Sequence, residues 1–95
     1  MSENKVKKAL EHQGMEIRLY EAISRKDIPY ESISNIVSVD TLGKIVWKAE
    51  PPKSHYHQYW DIEIDSAKKV LIAITALSFR HVIDLNKGRI IESSL

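Results

Sequence analysis

Trp60-Asp61-Ile62-Glu63-Ile64-Asp65 alternates strictly between apolar and acidic residues. A period of two is that of an extended strand with one dry and one wet face. The stretch therefore commits the chain to a sheet. The alternation assigns Trp60, Ile62 and Ile64 to the core, and Asp61, Glu63 and Asp65 to water. Val70 to Ala76 is apolar at every position except Thr75 and reads as a central strand covered on both faces. Phe79 to Asp84 and Arg89 to Glu92 form further strands around the turn Leu85-Asn86-Lys87-Gly88.

Upstream, Asn35 to Asp40 and Lys44 to Ala49 are β-branched runs joined by Thr41-Leu42-Gly43, a hairpin signal because glycine takes the positive φ of a tight reversal. Ile45, Trp47 and Ala49 are expected on one face. Pro51 and Pro52 cannot donate to a ladder and end that strand. The two hairpins share one order of residues: apolar, Asp, short turn, Gly, cation, apolar pair. Either hairpins in general look like this or the chain carries a short duplication; the residues alone leave both open. Met15 to Ile23 alternates and reads as a strand, with helix as the alternative, and residues 24–32 form a polar loop around Pro29. Residues 2–13 read as an amphipathic helix, with Ser2 as N-cap, Val6, Ala9 and Leu10 as its stripe and Gly14 as its stop.

Ninety-five residues make one domain, 1–95. The expected fold is mainly β (α+β): the helix over 2–13, then a β-rich region over 15–95. That region forms a curled antiparallel sheet of about six to seven strands in meander and hairpin topology, closed by curling, by the helix or by a second copy in a homodimer. The absence of cysteine removes disulfides, thiolate zinc sites and thiol nucleophiles. A net charge of +1 supplies no general field for nucleic acid or anionic lipid. No stretch has the length of a membrane span or the apolar core of a secretory signal, so the expected setting is cytoplasmic and soluble.

Asp40-x-x-Gly43-Lys44-Ile45-Val46-Trp47 resembles the strand–turn–strand units of propeller-blade repeats. With Asn35, Pro51, Trp60, Ala73, Phe79, Asp84 and Gly88 it also resembles a group of small bacterial single-domain proteins. The resemblance covers about two-thirds of the chain and carries over no catalytic residue. Some of those relatives are thought to be immunity proteins beside secreted toxins, so it implies stoichiometric binding of a toxin. A full propeller would need at least four blades, more than this length holds.

The densest chemical cluster is Ser54-His55-Tyr56-His57-Gln58-Tyr59-Trp60. Continued strand alternation would send His55, His57 and Tyr59 to the face of Asp61 and Glu63, and Tyr56 and Trp60 to the core. Two histidines at i, i+2 with Asp61 would give three ligands for zinc or another divalent metal. The bland alternative is a wet face carrying idle histidines. No Gly-x-Ser-x-Gly elbow supports a hydrolase, and His81, between Phe79 and Ile83, belongs to a core face. The acidic row beside Tyr and Trp disfavours phosphate and ranks nucleic acid third.

The expected function is therefore that of a non-catalytic protein-binding module without cofactor. Its surface is His55, His57, Tyr59, Asp61 and Glu63, and its partner a protein, in the sharpest version a basic toxin. The alternative is a metal- or small-ligand-binding protein, or a weak hydrolase, using the His55, His57 and Asp61 face.

Overall fold

Gln13 and Gly14 both adopt positive φ, 48° and 80°, and join two strands through a two-residue loop that pairs His12 with Met15. Positive φ at both central residues is what a primed hairpin turn requires. A computed structural model describes residues 5–21, 34–52, 58–75 and 78–94. Its strands are β1 (Val6–His12), β2 (Met15–Tyr20), β3 (Ile36–Val39), β4 (Ile45–Lys48), β5 (Tyr59–Asp65), β6 (Val70–Thr75), β7 (Arg80–Asp84) and β8 (Ile90–Ser94). They form two four-stranded antiparallel meanders, β1-β2-β3-β4 and β5-β6-β7-β8.

Two expectations are corrected. The helix over 2–13 is absent among the described residues, where 6–12 is strand β1. Its Lys8, Leu10 and His12 are half-buried alternately while Val6 and Ala9 stay exposed. The Lys, Ala, Leu and Glu of this segment favour a helix, but three turns with a narrow stripe are marginal alone, whereas pairing with β2 satisfies the backbone at once. Gly14 misleads because a helix stop and a hairpin turn both need its left-handed conformation. The single sheet of six to seven strands is likewise replaced by two separate sheets that cover each other. No described helix is long and apolar enough to cross a membrane.

One core lies between the sheets. Ile17, Leu19, Ile36 and Trp47 face it from the first, and Tyr59, Ile62, Leu71, Ala73 and Ile83 from the second. Each fully buried aliphatic side chain contributes about 1.5–3 kcal/mol relative to exposure. The sheets stack back to front. Ile17, third in β2, points into the core, whereas Ile72, third in β6, points away from it, because its ladder partners Glu63 and Val82 lie on the outward face.

Every hairpin of consecutive strands β1–β2, β3–β4, β5–β6 and β7–β8 contains one register shift. The extra residues are Lys7, Val46, Trp60 and Ile91, each second in the first or fourth strand of its sheet, and all four are exposed. A bulge leaves its extra residue out of the ladder and reverses the facing of what precedes it. Hence Ile45 is 65% exposed while Trp47 and Ala49 are buried, and the expected shared face of these three is lost.

The two Asp turns close through related bonds, the second turn being one residue longer. Asp40 N–H donates to Lys44 O at 2.9 Å and Gly43 N–H to Asp40 O at 3.0 Å; Asp84 N–H donates to Arg89 O at 2.9 Å and Gly88 N–H to Asp84 O at 2.8 Å. The Asp40 carboxylate accepts from Leu42 and Lys44 N–H, and that of Asp84 from Asn86 N–H.

Candidate functional site: the outward face of strand β5

Strand β5 begins with a bulge that decides what it shows to solvent. Tyr59 pairs with Thr75 and Asp61 with Ile74, leaving Trp60 as the extra residue. Tyr59 and Ile62, three apart, therefore both face inward and are each 1% exposed, while Trp60 is 53% exposed. This reverses the expectation for both aromatics: Tyr59 leaves the outer row and Trp60 joins it. The alternation from Asp61 onward holds, with Asp61 and Glu63 exposed and Ile62 buried. His55 and His57 lie outside the described residues.

Tyr59 is a structural centre. Its hydroxyl donates to Glu50 O at 2.6 Å, and its ring meets that of His81 edge-on, with centroids 5.7 Å apart. Burial, with the Glu50 charge adding to it, pushes the phenol well above its ordinary value. The Asn35 side chain grips its backbone: Oδ1 accepts from Tyr59 N–H at 2.9 Å, and Nδ2 donates to Tyr59 O at 2.8 Å and to Tyr20 O at 2.9 Å. Asn35 thus pairs with β5 as a strand residue would and ties the start of the second sheet to the end of β2. His81 is buried on this inner face, as its place between Phe79 and Ile83 leads one to expect.

The exposed side is organised by the other bulge. Lys7, the extra residue of β1, lies with Nζ 3.4 Å from the centroid of the Trp60 ring and donates to Trp60 O at 2.7 Å. The Trp60 carbonyl thereby gains a side-chain donor, and the indole gains a cation over its face, worth about 0.5–1 kcal/mol at an exposed site. Beside it, Lys8 Nζ stands 3.1 Å from Asp61 Oδ1. The hydrogen bond from Lys8 holds the Asp61 carboxyl below the usual carboxylate range, opposed by slight desolvation and helped by Ile62 N–H. Two adjacent lysines of β1 thus seat two adjacent residues of β5 and limit how far the indole can move.

Sequence reasoning found Asp61 and Glu63 through the alternation, and it missed Lys7 and Lys8 as their partners. The Lys5-Val6-Lys7-Lys8 run marked only a wet face; that it crosses to the second sheet depends on the stacking. The proposed ligand trio of His55, His57 and Asp61 has one member among the described residues, and that carboxylate is engaged by Lys8. No group of three His, Asp or Glu side chains among the described residues is placed to hold a metal ion.

Comparison with known proteins gives one finding. No curated protein and no solved structure is significantly similar to the chain. One family model, described as Domain of unknown function (DUF7957), matches residues 1–95, and the protein belongs to that family.

Proposed function

We propose that the chain is a protein-binding module without catalytic chemistry, and that the outward face of β5 is its docking surface. The observation that carries the reading is Trp60. A large indole stands half exposed, seated by Lys7, beside the exposed carboxylates of Asp61 and Glu63. An aromatic already held in place loses little side-chain entropy when a partner covers it, and such residues supply most of the energy of many interfaces. Glu63 would attract a basic partner, whereas the charge of Asp61 is met by Lys8.

The narrower version, neutralisation of a basic toxin in the cytoplasm, is supported by the exposed carboxylate of Glu63 and by the resemblance to small immunity proteins. A second copy of the chain is the alternative partner.

The test is affinity capture with the wild-type chain and with Trp60→Ala and Glu63→Lys, followed by mass spectrometry and sizing. The reading expects one basic protein captured at fixed stoichiometry by the wild type, lost with either variant and indifferent to chelators. Recovery of the same proteins by all three chains refutes it, as does loss of capture on adding a chelator.

A further inference from the structure

The turn that follows β3 is bare, whereas the turn that follows β7 is covered. The ring of Trp47 lies so close to Gly88 that a Cβ built there would sit 2.5 Å from Cε3, but a Cβ on Gly43 meets no atom within 4 Å. The tip of the bare turn is apolar and protrudes. Leu42 is 80% exposed, more than any other large apolar side chain among the described residues, and Ile45 and Val46 continue the exposed apolar surface into β4. Lys44 stands between them, exposed as well. Neighbouring apolar side chains left in water beside a charged group mark a contact site.

An open depression of about 540 Å³ lies beside the same turn, with Thr41 and Gly43 in its wall. Its size is that of a pocket that takes more than one side chain. Ala9, Leu10, Met15 and Val39 give it an apolar lining, and its charged residues are Glu11, Glu16 and Asp40 against Arg18. The Arg18 guanidinium is bonded to Glu16, and the Asp40 carboxylate accepts from the N–H groups of Leu42 and Lys44 in its own turn. Glu11 is exposed. The hollow thus carries more acid than base and suits an apolar side chain with a cation close behind it, which is what Leu42 and Lys44 offer. Tip and hollow share the residues of one turn and lie side by side on one surface. A two-fold axis between them sets the tip of each copy in the hollow of the other, so that every contact is made twice. An unrelated partner seated in the hollow would leave the tip bare.

We propose that the chain forms a two-fold dimer through this patch. Leu42 of each copy enters the other copy's depression, between Ala9, Met15 and Val39, and Lys44 lies beside the partner's Glu11. The patch shares no residue with the outward face of β5, so the two proposals stand or fall separately.

Sedimentation equilibrium of the intact chain from about 10 µM to about 1 mM reads the association. The expected result is a reversible monomer–dimer equilibrium with the dimer predominating at the upper end. Leu42→Ser and Lys44→Glu each raise the dissociation constant about tenfold or more, because an isologous contact feels each substitution twice. Glu11→Lys does the same, and joining it to Lys44→Glu in one chain exchanges both charges and restores the dimer. Trp60→Ala leaves the equilibrium where it was. Glu11, Leu42 and Lys44 are all exposed, so the variants keep the fold, which circular dichroism checks. A chain that stays monomeric at the highest concentration overturns the proposal. So does a dimer that Leu42→Ser leaves intact, or a charge-exchanged chain no more dimeric than the single variants. Loss of the dimer with Trp60→Ala also overturns it, since the contact then belongs to the β5 face.

Discussion

Gly43 and Gly88 hold corresponding places in the two sheets and the same left-handed backbone, which makes them a matched pair for one experiment. In Gly43→Ala the new methyl meets open space, so the cost is that of an L-residue at positive φ, about 1–2 kcal/mol. In Gly88→Ala the same cost is joined by collision with Trp47: Cβ would lie 2.5, 2.9 and 3.2 Å from three ring atoms, where ordinary contact begins at 3.4 Å. The ring cannot retreat freely, being 7% exposed and bonded through Nε1 to Leu85 O on the same turn. Overpacking adds about 1–3 kcal/mol, and weakening the indole hydrogen bond about 0.5–1.5 kcal/mol more. Gly88→Ala should therefore be the less stable variant by roughly 2–4 kcal/mol, which for a domain of this size lowers Tm by roughly 10–25 °C more than Gly43→Ala does. Urea unfolding followed by tryptophan fluorescence in a Trp60→Phe background isolates Trp47, with far-ultraviolet dichroism as a second probe. Trp47→Leu should recover part of the Gly88→Ala penalty in a double-mutant cycle. Equal stability of the two alanine variants, within about 0.5 kcal/mol, would refute the packing of Trp47 on the second turn.

Asn35→Leu should cost about 3–5 kcal/mol, because it leaves the buried N–H and C=O of Tyr59 without their side-chain partners; a chemical-denaturation midpoint near wild type would remove Asn35 from its bridging role. Asn35→Asp should be nearly as damaging at neutral pH and partly restored in acid, where a protonated carboxyl can again donate to Tyr59 O. For Tyr59 the folded-state pKa lies above the ordinary value of 10.0. Its contribution to stability is therefore complete below pH 10 and declines as pH rises further, when only the unfolded chain ionises. Tyr59→Phe should flatten that alkaline decline, read as the slope of unfolding free energy against pH from 9 to 11, while costing about 1 kcal/mol for the lost bond to Glu50 O. An unchanged slope would mean that Tyr59 titrates as if exposed.

Legibility differed from element to element. Strands β3 to β8 could be located because local signals agree there: β-branched runs, strict alternation, prolines that end strands, and Asp and Gly bracketing turns. The N-terminal strand was misread because its residues suit a helix, and Gln13-Gly14 serves equally as a helix stop or a hairpin turn. Within β5 the error was one of parity. Alternation extended backward through Trp60 inverts Tyr59 and Trp60, since a bulge inserts one residue and nothing in the types of residues 59–61 announces it. The acidic half of the candidate site was thus readable, but its aromatic half was assigned to the wrong side.

The amino-acid order by itself determined strand character, turn positions and the acidic edge of β5, because these follow from side-chain period and from the φ angles that glycine and proline permit. Only the tertiary structure decided that the strands divide into two sheets stacked back to front. The same holds for Lys7 and Lys8 reaching across to Trp60 and Asp61, and for the first sheet's Trp47 covering one Asp–Gly turn and leaving the other open. Those outcomes depend on contacts between residues some forty to fifty positions apart. Such contacts are selected by the packing of a whole face and leave no periodic trace in the sequence around either partner.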